Sequence, residues 1–302
     1  MTSCGMRLDA VPGAVGEMRD SSALVGDPEA LRERMGRDGY LFLPGLLDRD
    51  RVLAARSRLT AELAARGHID PDRPDEAVLR PGSGFDPVAF GERPYPVDEN
   101  PDLRSVLDEG ALPHFHREFL GCSVRRFERN LLRARAGDQW SATYPHCDSV
   151  FMGRGTPRVY TSWVPLGDLT RDMGGLMVLE KSHHVERIRH EYSERDVDEY
   201  CANHPDAAEW LAGTKSWDGK LSDDPVAVQR SWGGRWLGAE FRAGDVVVFS
   251  IHTVHGSTDN LSDRVRLSVD ARYQSAAEPA DERWVGSGAA ERSRGSLRGR
   301  IC

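Results

Sequence analysis

Arg264-Val265-Arg266-Leu267-Ser268-Val269-Asp270-Ala271-Arg272 alternates without a break. Successive side chains of a strand point to opposite sides, so Val265, Leu267, Val269 and Ala271 share one face. Arg264, Arg266, Ser268, Asp270 and Arg272 share the other. The apolar face needs a core. The charged face admits two readings: an exposed, solvated surface, or a polar wall turned into the space between two sheets. In the second reading Asp270 needs a cationic neighbour such as Arg272, because an unpaired buried acid is costly.

Away from this run, short strands recur at about 123–135, 144–150, 158–166, 175–180 and 245–254, with no helices alternating between them. That texture predicts a mainly β fold with flanking helices. Its core would be a double-stranded β-helix, jelly-roll and cupin-like, at about 123–273, rather than a parallel α/β sheet. The first part, about 28–120, reads as helical support. Pro28 to Gly36 is a helix opened by Asp27, Tyr40 to Leu43 a brief strand, and Asp48 to Arg66 an amphipathic helix; Leu103 to Leu120 also looks helical. Asp70 to Pro101 is a loop rich in Pro, Gly and Asp. Residues 183–238, with Trp210, Trp217, Trp232 and Trp236, interrupt the strands. They read as helical first and turn-rich second, an insertion serving as lid or pocket wall. The tail at 286–302, rich in Ser, Gly and Arg, reads as surface-bound or mobile. The whole chain, 1–302, is expected to form a single domain.

The hydrophobic fraction of 39% and negative mean hydropathy describe an ordinary soluble protein. A formal net charge of −8 argues against nucleic acid or an anionic membrane as partner. The cysteines, Cys4, Cys122, Cys147, Cys201 and Cys302, are scattered and lack the C-x-x-C spacing of a zinc site. They fit reduced thiols in a cytoplasmic protein. No stretch is apolar enough to span a bilayer or direct secretion. The expected partner is a small-molecule substrate, bound by a monomer or a homodimer.

His255 lies eleven residues before Arg266, which leaves room for a turn back into the same cavity. More than a hundred residues earlier stands His146-Cys147-Asp148. On a strand, the two-residue offset would aim His146 and Asp148 at one space and turn Cys147 away. Two histidines and one carboxylate on one side of a metal leave coordination positions open and suit non-haem Fe(II) oxygen chemistry. A guanidinium fork at Arg266 suits a carboxylate. His252 is the rival distal ligand. Strand parity puts it opposite His255, and Asp263, eleven residues beyond it, would repel an acid. It reads better as a packing histidine, and His183-His184 as a solvated pair at a turn.

With these residues placed, the chain resembles the phytanoyl-CoA dioxygenase (PhyH) branch of the Fe(II)- and 2-oxoglutarate-dependent oxygenases, from about Arg37-Asp38-Gly39-Tyr40 to Tyr273. The resemblance rests on His146 and Asp148, on His255 in His-Gly-Ser-Thr-Asp-Asn-Leu-Ser, on Arg266, and on Trp163 to Leu166 followed by Gly174-Gly175-Leu176 and Lys181-Ser182-His183. It implies iron ligation by His146, Asp148 and His255, with 2-oxoglutarate and O2 as co-substrates. Arg266, helped by Ser268, would hold the far carboxylate of 2-oxoglutarate, and Ser257 and Trp163 would lie beside the co-substrate. The strand Arg129-Asn130-Leu131-Leu132-Arg133 would offer a polar side chain, taken here as Arg133, to its metal-side carboxylate. The implied reaction is hydroxylation of an unactivated C–H bond, with release of succinate and CO2. Desaturation or cyclisation is open to the same chemistry. Related halogenases lack the carboxylate that Asp148 supplies. Two other classes stay open on the residues alone: a non-catalytic jelly-roll binding protein, and a zinc hydrolase, which would also want a general base.

Overall fold

The computed structural model describes residues 1–91, 99–128, 130–137, 142–200, 209, 217–286 and 299–300. Its strands are β1 (Thr2–Ser3), β2 (Met6–Arg7), β3 (Val15–Glu17), β4 (Tyr40–Leu43), β5 (Val124–Arg126), β6 (Leu131–Arg135), β7 (Tyr160–Pro165), β8 (Leu176–Leu179), β9 (Glu199–Tyr200), β10 (Trp236–Gly238), β11 (Val246–Ser250), β12 (His255–Ser257), β13 (Arg266–Ser275) and β14 (Gly299–Arg300). Two sheets dominate. One is ordered β12-β8-β10-β3; the other runs β4-β11-β7-β13-β5, with β6 also paired to β13. Neither closes on itself, and together they form the jelly-roll core.

The alternation of β13 decides what lies on each side of the larger sheet. Val265, Leu267, Val269, Ala271 and Tyr273 join the principal core with Leu41, Leu43, Val164, Val246 and Val248. The same core takes Leu31, Met35, Val52, Leu59, Leu63, Leu103, Leu112 and Phe115 from the supporting helices. The opposite face of the larger sheet carries Phe42, Trp163, Val247 and Phe249. These pack on Leu176, Val178 and Leu237 of the smaller sheet. Arg266, Ser268, Asp270 and Arg272 therefore look inward, between the sheets, and are all buried. The solvated reading of that face is excluded.

Local signals fix the support. Asp27 caps the helix Pro28–Asp38 by accepting from Ala30 N at 3.0 Å, and Asp48 caps Arg49–Ala65 through Asp50 N and Arg51 N. The helix expected from Leu103 to Leu120 is instead two, Pro101–Asp108 and Ala111–Leu120, broken where Gly110 adopts φ +72°. Without a Cβ, glycine takes that conformation at no steric cost, and the break lets both segments turn their apolar residues to the sheet.

Two further expectations need correction, and the N-terminus adds a feature the sequence did not announce. The segment near 144–150 is not a strand: His146 makes a single bridge to His255, and Asp148 leads into a short helix, Ser149–Met152. The second half of the insertion contains a helix, Pro225–Trp232, and β10, which is part of the smaller sheet. The N-terminal residues are structural: β3 pairs with β10 in parallel, and Ser3 Oγ donates to Ser257 O at 2.7 Å. Ile188, Tyr192, Val197, Val228 and Trp236 pack with Cys147, Met177 and Leu179. The described part of the insertion therefore covers the outer face of β8. Trp210, Arg129 and most of the tail fall outside the described residues; Gly299–Arg300 pairs in parallel with Glu199–Tyr200. Among the described residues no helix is long and apolar enough to cross a membrane.

His116 illustrates the cost of burial. Its ring stacks on Tyr273 at 4.1 Å, Nε2 bonds Ser162 Oγ at 2.8 Å, and burial pushes its pKa down to about 3. The folded state then refuses a proton that the unfolded chain accepts below about pH 6.5, so stability falls as the pH drops from there toward 3. The loss is about 1.4 kcal/mol per pH unit for one such imidazole. Thermal melts from pH 7 to pH 4 should show a steep decline in wild type and a shallower one in His116→Gln. Equal slopes would refute this.

Candidate metal centre

Backbone pairing brings the distant ligands together. His146 N donates to His255 O at 3.0 Å, and His255 N donates to His146 O at 2.9 Å, so the two imidazoles stand side by side with centroids 4.2 Å apart. Close approach at this point requires Gly256, where a Cβ would lie 2.7 Å from Thr143 O. Asp148 reaches the same space through the turn that opens the following short helix.

The proton positions follow from the acceptors. His146 Nδ1 lies 2.8 Å from Tyr144 O, and His255 Nδ1 lies 3.0 Å from Thr253 O. A carbonyl only accepts, so each Nδ1 carries the hydrogen and each Nε2 presents a lone pair. Both Nε2 atoms are 3.8 Å from Asp148 Oδ1, too far for a hydrogen bond. All three groups are buried, and the three ligand atoms lie within 4.8 Å of one another. Burial, then the neighbouring His255, pushes the His146 pKa down to about 3; burial also lowers that of His255. Burial opposes ionisation of Asp148, but Arg272, the two imidazoles and the Thr161 hydroxyl together hold its carboxyl below the usual range. Three unprotonated donors facing one point fit a divalent transition metal, which would have no proton to displace.

Arg266 fits a carboxylate equally well. It is 2% exposed, its Nη1 donates to Ser268 Oγ at 2.7 Å, and its Nε has no partner. Burial, with Arg135 and Arg133 adding repulsion, pulls its pKa down to about 9. An incoming carboxylate would satisfy the orphaned donor and relieve that strain. Ser257 Oγ accepts from Thr143 N at 2.8 Å, which leaves its hydrogen free to donate. Arg133 shares the inner face opposite Ser268, and its Nε meets Asp270 Oδ2 at 2.9 Å. Arg272 Nη2 is farther from that acid, at 3.6 Å. Trp163 faces inward too, packed at 4.7 Å on Phe241.

His252 stands apart, in a turn after β11, so strand parity does not apply to it; its carbonyl accepts from Cys147 Sγ at 3.3 Å. His183 Nε2 is spent on Gly36 O. Sequence reasoning missed Thr161, whose hydroxyl bonds Asp148, and Phe249, whose ring lies 4.4 Å from that of His255. It also missed Tyr192, which accepts from Cys147 N between the two ligands and donates to Gly219 O. Thr161 shares parity with Trp163, and that was the one available signal.

The sequence matches the profile of a family described as phytanoyl-CoA dioxygenase (PhyH) over residues 35–268. Among curated relatives, 1-deoxypentalenic acid 11-beta-hydroxylase of Streptomyces exfoliatus is 27% identical over 269 residues, 85% of each chain. That of Streptomyces arenae is 26% identical over 271 residues, again 85% of each. Similar solved structures include the non-haem alpha-ketoglutarate-dependent carbocyclase SnoK from nogalamycin biosynthesis, with TM-score 0.58, 20% identity, and 93% of this chain and 97% of that one covered. Another is EctD from S. alaskensis with 2-oxoglutarate and 5-hydroxyectoine, with TM-score 0.54, 19% identity, and 90% and 83% covered. These structural likenesses show the fold.

Proposed function

The chain belongs to the phytanoyl-CoA dioxygenase (PhyH) family, and we propose that it hydroxylates an unactivated C–H bond of a small biosynthetic intermediate at iron held by His146, Asp148 and His255. It is a non-haem iron- and 2-oxoglutarate-dependent dioxygenase. The observation that carries the site assignment is the convergence of two Nε2 lone pairs and one carboxylate oxygen beside a fully buried, under-partnered guanidinium. When bound, ferrous iron supplies the redox chemistry that couples oxidative decarboxylation of 2-oxoglutarate by O2 to oxidation of the substrate. The protein does the rest. The Nδ1 hydrogen bonds to Tyr144 O and Thr253 O orient the imidazoles. Arg266 and Ser268 hold the distal carboxylate of 2-oxoglutarate, with Arg133 on the same sheet and Ser257 on β12 of the smaller sheet. Phe249 and Phe151 border the histidines and keep water away from them.

The relatives named as hydroxylases of a small acid support hydroxylation of a small molecule. A cytoplasmic location suits ferrous iron and the free thiols of Cys4, Cys122 and Cys147. Fe(II)-loaded protein supplied with 2-oxoglutarate and O2 should form succinate slowly alone and faster with the right member of a compound panel. No succinate under any condition would reject catalysis in favour of passive binding. Asp148 occupies a position that halide would need, so product formed in high chloride should gain oxygen or lose hydrogen. A chlorinated product from wild type, seen by mass spectrometry, would contradict this.

A further inference from the structure

Asp148 has two carboxylate oxygens, and only Oδ1 faces the histidines. The other is already committed. Thr161 Oγ1 donates to Oδ2 at 2.5 Å, and Arg272 Nη2 stands 3.7 Å from the same atom. Thr161 and Arg272 are direct cross-strand partners in the β7–β13 register, so the sheet itself delivers both to one oxygen. We infer that Thr161 and Arg272 are positioning residues that hold Asp148 as a one-oxygen metal ligand and keep its second oxygen out of the coordination sphere. This rests on the reading of His146, Asp148 and His255 as the metal ligands.

Arg272 also reaches Asp270, whose carbonyl accepts from Nη1 at 3.4 Å. Asp270, its other acidic neighbour at 3.6 Å, is closer to Arg133 at 2.9 Å. The guanidinium is 1% exposed and capped by the Trp284 ring at 5.2 Å. Trp284 Nε1 donates to Phe151 O at 2.9 Å, and the Phe151 ring stands edge-on to His146 at 5.6 Å. Residues behind Asp148 thus connect around to the ring of the first histidine, and Arg272 is fixed from both sides. Partners of metal ligands orient them, and their loss typically weakens metal binding about 10–100-fold. A buried cation near a metal could instead act only by repulsion, which predicts the opposite sign.

The test uses anaerobic Co(II) titration of the full chain, read by visible absorption. Thr161→Val changes the shape little, alters no charge and removes the hydrogen bond; Arg272→Gln removes the cation. Each should weaken Co(II) binding about 10–100-fold and alter the Co(II) spectrum. The double variant should lose less than the product of the two, because both act on one oxygen. Unchanged affinity and spectrum in Thr161→Val would overturn the inference, and so would tighter binding in Arg272→Gln. If Arg272→Gln fails to fold, Thr161→Val decides alone, since a purely structural role would lower its melting temperature without moving the Co(II) spectrum. A wild type that binds no Co(II) would sink the metal assignment as well.

Discussion

His255→Ala should abolish 2-oxoglutarate-dependent turnover and lose most of its affinity for Fe(II), with far-ultraviolet circular dichroism unchanged. Among the described residues the candidate ligand set is three side chains, so removal of one should exceed the roughly 10–100-fold loss typical of an outer partner. The same result is expected for His146→Ala and Asp148→Ala. His252→Ala is the informative comparison. That side chain sits in a turn, with Nδ1 unpartnered, and joins no ligand cluster among the described residues. Iron binding in His252→Ala should match wild type. Full activity in His255→Ala would remove the assignment and return His252 to consideration.

Arg266→Ala should raise the KM for 2-oxoglutarate by more than tenfold and leave iron binding intact. Losing one partner of a desolvated charge pair costs about 2–5 kcal/mol, and each 1.4 kcal/mol is about tenfold. Arg266→Lys should recover only part of the loss, because an ammonium lacks the planar fork that engages a carboxylate while bonding Ser268. Arg264 makes a clean control: its side chain is 48% exposed and 3.9 Å from Glu76. Arg264→Ala should leave the KM within error. A severe effect at Arg264 with none at Arg266 would mean the carboxylate binds on a different part of the strand.

The register of β13 was legible because its alternation is long and one face is wholly apolar. A slip of one residue would put Val265, Leu267 and Val269 between the sheets and four charged or polar groups against the helices. The candidate ligands His146 and Asp148 were legible as residues that could share a site, but their local geometry was not. Strand periodicity aims both at one space; the chain does so with one bridge at His146 and a turn at Asp148, set by contacts with His255 and Ile251 that are remote in sequence. Thr161 and Arg272 were invisible for the same reason. Their meeting at one oxygen depends on the pairing of β7 with β13, which no local pattern reports. Val15-Gly16-Glu17 is too short to show a period, yet it completes the smaller sheet by pairing in parallel with β10. Gly110 breaks the helix where the buried face changes sides: Leu103, Val106 and Leu107 before it and Leu112, Phe115 and Phe119 after it would fall on opposite faces of one continuous helix, a change of phase that a whole-segment reading of periodicity passes over.

Diffraction from crystals grown without oxygen, with Fe(II) and 2-oxoglutarate, tests the central claim most directly. The account predicts one metal bounded by His146 Nε2, His255 Nε2 and Asp148 Oδ1, with the distal carboxylate of 2-oxoglutarate on Arg266 and Ser268. Metal held by other residues, or a 2-oxoglutarate carboxylate seated away from Arg266, would contradict it.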